Sequence, residues 1–162
     1  MAENWTQYLA VSAATKDDLK RLFLEVLRSV IGLHPRTARR ITDPEFDYIC
    51  SILVAYRAGN LNLTAVAEKT CENDLDVPKM LFVADATLIL TGYFGHRGYG
   101  RQSLSEYPTY LARNFYRRLT CDTGFPVYDK LATNFSDWQA LLQELRCSLD
   151  EAASLRYLLR LS

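Results

Sequence analysis

Glycine and proline are scarce in this chain, at seven and five residues out of 162. That scarcity excludes collagen-like and Pro/Gly-rich disordered classes. There are two histidines, His34 and His96. One chain therefore cannot build a multi-histidine metal site; a mixed site with carboxylates stays open, without an H-E-x-x-H or E-x-x-H motif to mark it. The four cysteines, Cys50, Cys71, Cys121 and Cys147, stand 21, 50 and 26 residues apart, so neither C-x-x-C nor zinc-finger spacing occurs. No sign of charge is in excess: nineteen Lys and Arg balance nineteen Asp and Glu, and the pI is about 6.7. That balance argues against a protein that works by coating nucleic acid or anionic membrane. The most apolar stretch, residues 80–90, is too short to span a bilayer and carries Asp85 at its middle. The first residues have neither a basic n-region nor an apolar h-region, so no secretory leader is expected. The expectation is a soluble, cytoplasmic protein with four free thiols.

What is present is helical periodicity. A length of 162 residues suits one domain, and 49% hydrophobic with 23% charged residues is ordinary for a globular chain. Leu19, Leu22, Phe23, Val26, Leu27, Val30 and Ile31 form one stripe of a first helix, which Gly32 and Pro35 end. Thr42 and Glu45 make a capping box, with Pro44 in the first turn, opening a second helix that runs to Gly59-Asn60. A short helix is expected over 61–69. Asp76 caps a third helix over 78–94, apolar almost all round and hence central in its domain. Ser103 and Glu106 form a second capping box, opening a fourth helix to about Thr120, with Pro108 early in it. Tyr128, Leu131, Phe135, Trp138, Leu142, Leu145 and Leu149 alternate spacings of 3 and 4, which argues for one long helix rather than two broken at Ser136-Asp137. Leu155, Leu158 and Leu159 suggest a last short helix. No strand alternation is evident, so the fold class is all-α: a single-domain bundle of five to seven helices around 78–94.

A set of spaced residues in the third and fourth helices supports the same fold. Ala84-Asp85-Ala86-Thr87-Leu88, Thr91-Gly92-Tyr93-Phe94, Tyr107-Pro108-Thr109-Tyr110 and Phe115-Tyr116-Arg117-Arg118-Leu119 resemble the pattern of an uncharacterised family of small all-helical bacterial proteins. That family carries a G-D-x-A-L-F-x-x-G-Y-F-like motif. Leu131-Ala132-Thr133-Asn134-Phe135 and Leu141-Leu142-Gln143-Glu144-Leu145 are similar to its last helix, so the resemblance covers about 78–148. Ala84 stands where the family has Gly, and Ile89 where it has Phe. The loop 96–101 is also unlike the usual one. The resemblance implies an all-helical fold and a bacterial source, and no activity.

Asp85 is the only charge between Met80 and Phe94. An unpaired buried carboxylate is costly, so it must be paired, hydrogen-bonded or neutral. Its candidate partners are Arg97, Arg101, Arg113 and the tyrosine hydroxyls. The structural reading is a core ion pair or Tyr–Asp network holding the third helix in register. The functional reading is a carboxyl of raised pKa in a pocket. Residues 92–101 hold four of the seven glycines. They follow a helix rather than a strand and lack a following Lys-Ser/Thr, which excludes a P-loop or Rossmann turn. An anion could instead meet the N-terminus of the fourth helix beside Arg97 and Arg101. Arg36, Arg39 and Arg40 form one basic cluster. Arg113, Arg117 and Arg118, with Tyr107, Tyr110 and Tyr116 nearby, form another. Arginine interleaved with tyrosine suits a single-stranded nucleic acid or a protein interface, and zero net charge favours the protein.

Two functions follow as expectations. The first is a non-catalytic helical protein–protein interaction module whose partner is another protein or a second copy. The alternative is a small-molecule or anion-binding bundle, enzymatic in the extreme case, with Asp85, Tyr93, His96, Arg97 and Arg101 around a pocket at the end of the third helix. No catalytic residue, metal site or cofactor is assigned. Within the Tyr128–Leu149 stripe, Ser136 to Leu149 would be a dimer seam if it projected from the bundle, but the bulky Tyr128, Phe135 and Trp138 suit internal packing better.

Overall fold

The computed structural model describes residues 16–56, 66, 68–69, 76–94 and 102–161, with side chains omitted at 16, 102–106 and 152–161. Among these residues the fold is all-α with no strand. Seven helices have defined bounds: α1 Lys16–Gly32, α2 Pro35–Arg40, α3 Asp43–Tyr56, α4 Val77–Leu88, α5 Gln102–Thr123, α6 Pro126–Thr133 and α7 Phe135–Leu161. A π-helical turn, Ile89–Tyr93, extends α4. No helix of the described residues is long and apolar enough to cross a membrane. Cys50, Cys121 and Cys147 are free thiols.

α4 is central, as its all-round apolarity requires. It packs on α5 and α7, and its π-turn packs on α7 and α3. Met80, Val83, Ala84, Ala86, Leu88, Ile89 and Leu90 are all buried in one continuous core with Phe23, Leu27, Ile49, Leu53, Leu119 and Trp138. Asp76 caps α4, its carboxylate accepting from the Lys79 N–H at 3.0 Å. At the far end the Phe94 N–H donates to the Ile89 carbonyl at 3.1 Å, five residues back, which widens the turn. Gly92 is needed there for close approach: a Cβ would stand 3.1 Å from the Leu142 Cβ and 3.2 Å from the Gln139 Cα. Gln139 uses that proximity, donating from Nε2 to Thr91 Oγ1 (2.8 Å) and Thr109 Oγ1 (3.0 Å). It thereby joins α7 to the π-turn and α5.

Four details differ from the sequence expectation. Pro35 begins a short helix as well as following one, because its fixed φ and missing N–H suit a first helical position. α5 starts at Gln102, so Pro108 lies in its second turn and removes an interior hydrogen bond. The Tyr128–Leu149 stripe is buried throughout, but it belongs to two helices, which part at Asn134. The expected short last helix is instead the end of α7, which continues to Leu161. Of the expected helix at 61–69, Val66, Glu68 and Lys69 are helical and the rest lies outside the described residues.

The break at Asn134 has a polar cause. Its backbone sits at φ −98°, ψ 16°, the sparsely occupied bridge region. Its Nδ2 donates to the Arg40 carbonyl (3.2 Å) and to Glu45 Oε1 (2.9 Å). Glu45 is fully buried, and Trp138 Nε1 also donates to its Oε1, at 3.2 Å. Its Oε2 accepts from the Thr42 N–H (2.7 Å) and hydroxyl (2.8 Å). The expected capping contact thus forms, and the same carboxylate ties the start of α3 to the α6–α7 junction. Glu45→Ala should cost roughly 2–4 kcal/mol in urea unfolding, because it strands the buried Asn134 and Trp138 donors. A loss under about 0.5 kcal/mol, the size of an ordinary surface substitution, would contradict this role.

Candidate functional site

The residue with the most unusual environment is Asp85. It sits in the third turn of α4, on the flank turned toward α3 and α5, and is 6% exposed. Tyr116 of α5 donates its hydroxyl to Asp85 Oδ1 at 2.7 Å. Tyr48 of α3 points its hydroxyl between both oxygens, 2.8 Å from each. Tyr128 of α6 packs against both phenols. Its ring stacks on Tyr116 at 6.2 Å and meets Tyr48 edge-on at 5.7 Å. Arg113, one of the expected partners, turns away: its Nε donates to the Ala132 carbonyl at 3.1 Å. The described partners of Asp85 are thus phenols, the Tyr–Asp network of the structural reading.

Neutral donors satisfy a carboxylate without cancelling its charge. Burial pushes the Asp85 carboxyl up from its ordinary 3.8 to about 6, with the Tyr116 and Tyr48 hydrogen bonds pulling the other way. The phenols respond in kind. Burial first, then the adjacent Asp85 charge, holds both Tyr116 and Tyr48 well above the usual tyrosine range. Tyr128 and Tyr56 shift upward for the same two reasons in the same order. At neutral pH the arrangement is an ionised carboxylate held by neutral phenols that keep their protons.

Tyr93, the second expected site residue, lies at the end of the π-turn among different neighbours. Its ring meets Phe23 and Phe94 edge-on at 6.4 and 5.0 Å. The fully buried Arg146 guanidinium of α7 sits 5.1 Å from its centroid and 5.4 Å from that of Phe94. Arg146 Nε also stands 3.5 Å from the Asp150 carboxylate. Asp85 thus addresses α3 and α5, whereas Tyr93 addresses α1 and α7. His96, Arg97 and Arg101 lie outside the described residues. Arg146 and Glu45 are the buried charges that sequence reasoning missed as such. Glu45 was legible only as a capping residue, and Arg146 only as a polar position three residues before the apolar Leu149.

Burial pushes the Cys50 thiol up to about 12, away from the reactive thiolate. His34 Nε2 lies 2.6 Å from Glu144 Oε2 on the surface, joining the start of α2 to α7. No group of three or more His, Cys, Asp or Glu among the described residues could hold a metal ion. Comparison of the chain with protein-family models, curated proteins and solved structures finds no match to any of them.

The Asp85 carboxyl binds its proton more readily in the folded chain than in the unfolded one. Its contribution to stability is therefore fullest below about pH 4 and falls as pH rises toward 6, beyond which it is level. The rise from 3.8 to about 6 corresponds to roughly 3 kcal/mol. Subtracting the stability of Asp85→Asn from that of the unaltered protein should give a difference that drops by about this amount across that window. A difference that is flat across it would contradict the assigned environment.

Proposed function

We propose that the protein is a cytoplasmic, non-catalytic helical module that works by binding protein, through the outward face of α5. The observation that carries this reading is the exposure of Tyr107 and Tyr110. They are 68% and 66% exposed although they stand one turn apart on a well-packed helix. Arg117 and Arg118 follow on the same face and are exposed too. Tyrosine and arginine are the side chains that most often carry interface energy, since each offers a large flat surface with a polar end. The buried side of the helix does different work. Tyr116 and Arg113 point inward to Asp85 and Ala132, so the sequence cluster of tyrosines and arginines divides into an inner, structural set and an outer, exposed set.

The zero net charge supports a protein partner over nucleic acid. The alternative, a ligand-binding bundle, draws support from the raised Asp85 carboxyl, but both of that carboxylate's oxygens already accept phenol hydrogen bonds. The resemblance of 78–148 to small helical bacterial proteins adds a bacterial source and no activity.

The test is photo-crosslinking in living cells with a benzophenone amino acid in place of Tyr107. A discrete protein adduct, lost when Arg117→Glu is added, is the expected result. Absence of any adduct, or an adduct indifferent to Arg117→Glu, would overturn the reading.

A further inference from the structure

The outward face of α5 has an internal symmetry that points to its partner. Tyr107, Tyr110, Asn114, Arg117 and Cys121 recur at spacings of three and four, with Arg118 four residues after Asn114, which places all six on one stripe of the helix. All are exposed except Asn114, which is half-buried at the stripe's midpoint. The aromatic pair lies toward one end and the guanidinium pair toward the other. Tyr110 stands four residues before Asn114 and Arg117 three residues after it, about 6 Å and about 4.5 Å along the axis. At 100° per residue both lie on the same flank of the stripe, Leu111 and Arg118 on the other.

We infer that this face binds a second copy of the chain, with the two α5 helices antiparallel about a two-fold axis at Asn114. The inference rests on the reading of α5 as the contact face and names the occupant. A two-fold axis perpendicular to both helices keeps each flank on its own side and reverses direction along the helix. It therefore seats Tyr110 of each copy against Arg117 of the other, a cation–π pair made twice. On the opposite flank it lays the half-buried Leu111 of each copy against the Arg118 stem of the other. A parallel arrangement would instead set arginine against arginine. The two chains carry no net charge, so nothing long-ranged opposes their approach. Arg118 reaches Asp122 in its own helix only at 3.8 Å on an exposed surface, a contact that yields readily to a better partner.

The experiment is sedimentation velocity over a concentration series, with disulfide trapping. The unaltered chain should shift from monomer to dimer as concentration rises. Tyr110→Ala and Arg117→Glu, both at exposed positions and each removing its contact twice, should raise the dissociation constant roughly tenfold or more. The exchange variant Tyr110→Arg/Arg117→Tyr should return it to within a few-fold of the starting value, because the pair is re-formed with its members reversed. Asn114→Cys, in a chain also carrying Cys71→Ser, Cys121→Ser and Cys147→Ser, should form an intermolecular disulfide on mild oxidation, while Phe125→Cys in that background should not. A chain that stays monomeric up to about 1 mM overturns the inference. So does a dimer that Tyr110→Ala leaves unchanged and Asn114→Cys fails to trap. If the chain is monomeric but the Tyr107 crosslink captures a different protein, the second-copy inference fails and the interaction reading stands. If no crosslink forms either, both fail.

Discussion

One buried carboxylate constrains the middle of this protein. α4 is central because almost every residue from Met80 to Leu90 is apolar, and a stretch covered on all sides cannot turn its single charge to water. Asp85 must therefore find donors inside. Only long side chains with a polar tip can reach it without exposing it, and Tyr48 and Tyr116 do so from two helices on either side. Tyr128 closes the group from a third. The rotation of α4 about its axis, the facing of α3 and α5, and the seating of α6 all follow from satisfying that group.

The same logic recurs at two further buried charges. Glu45 gathers four donors from Thr42 just before α3, the α6–α7 junction and α7, and the chain bends at Asn134 to deliver one of them. Arg146 is covered by the faces of Tyr93 and Phe94, with Asp150 one turn along. These three groups join helices that hydrophobic packing alone would leave free to slide or rotate. They specify an arrangement as well as hold it. What remains on the outside of α5 is the polar and aromatic surface that this internal bonding does not use.

The fold was legible in the sequence because helical periodicity reports the apolar face directly. The stripe from Leu19 to Ile31, the Thr42–Glu45 contact, the Asp76 cap and the centrality of residues around Asp85 needed no long-range knowledge. Asp85 announced itself by being the one charge between Met80 and Phe94. Its partners did not, since Tyr48 and Tyr116 are 37 and 31 residues away and ten tyrosines were available. The break at Asn134 was hidden because the stripe on either side keeps an unbroken spacing of 3 and 4, and the reason to bend is a carboxylate 89 residues distant. The π-turn was hidden for a similar reason: Gly92 reads as a helix stop until Leu142 and Gln139 are seen to need its missing Cβ. The division of the Tyr/Arg cluster on α5 into inner and outer members also depends on which face the bundle covers.

The central claim is that Asp85 couples α3 to α5 through two phenols that share one carboxylate. A double-mutant cycle of Tyr48→Phe and Tyr116→Phe at pH 8 measures this directly. Removing one hydroxyl leaves the other on the carboxylate, while removing both leaves a buried charge without a donor. The double variant should therefore lose about 1 kcal/mol or more beyond the sum of the single losses, and that excess should vanish in an Asp85→Asn background. Losses that add to within about 0.3–0.5 kcal/mol, as for independent sites, would contradict the account.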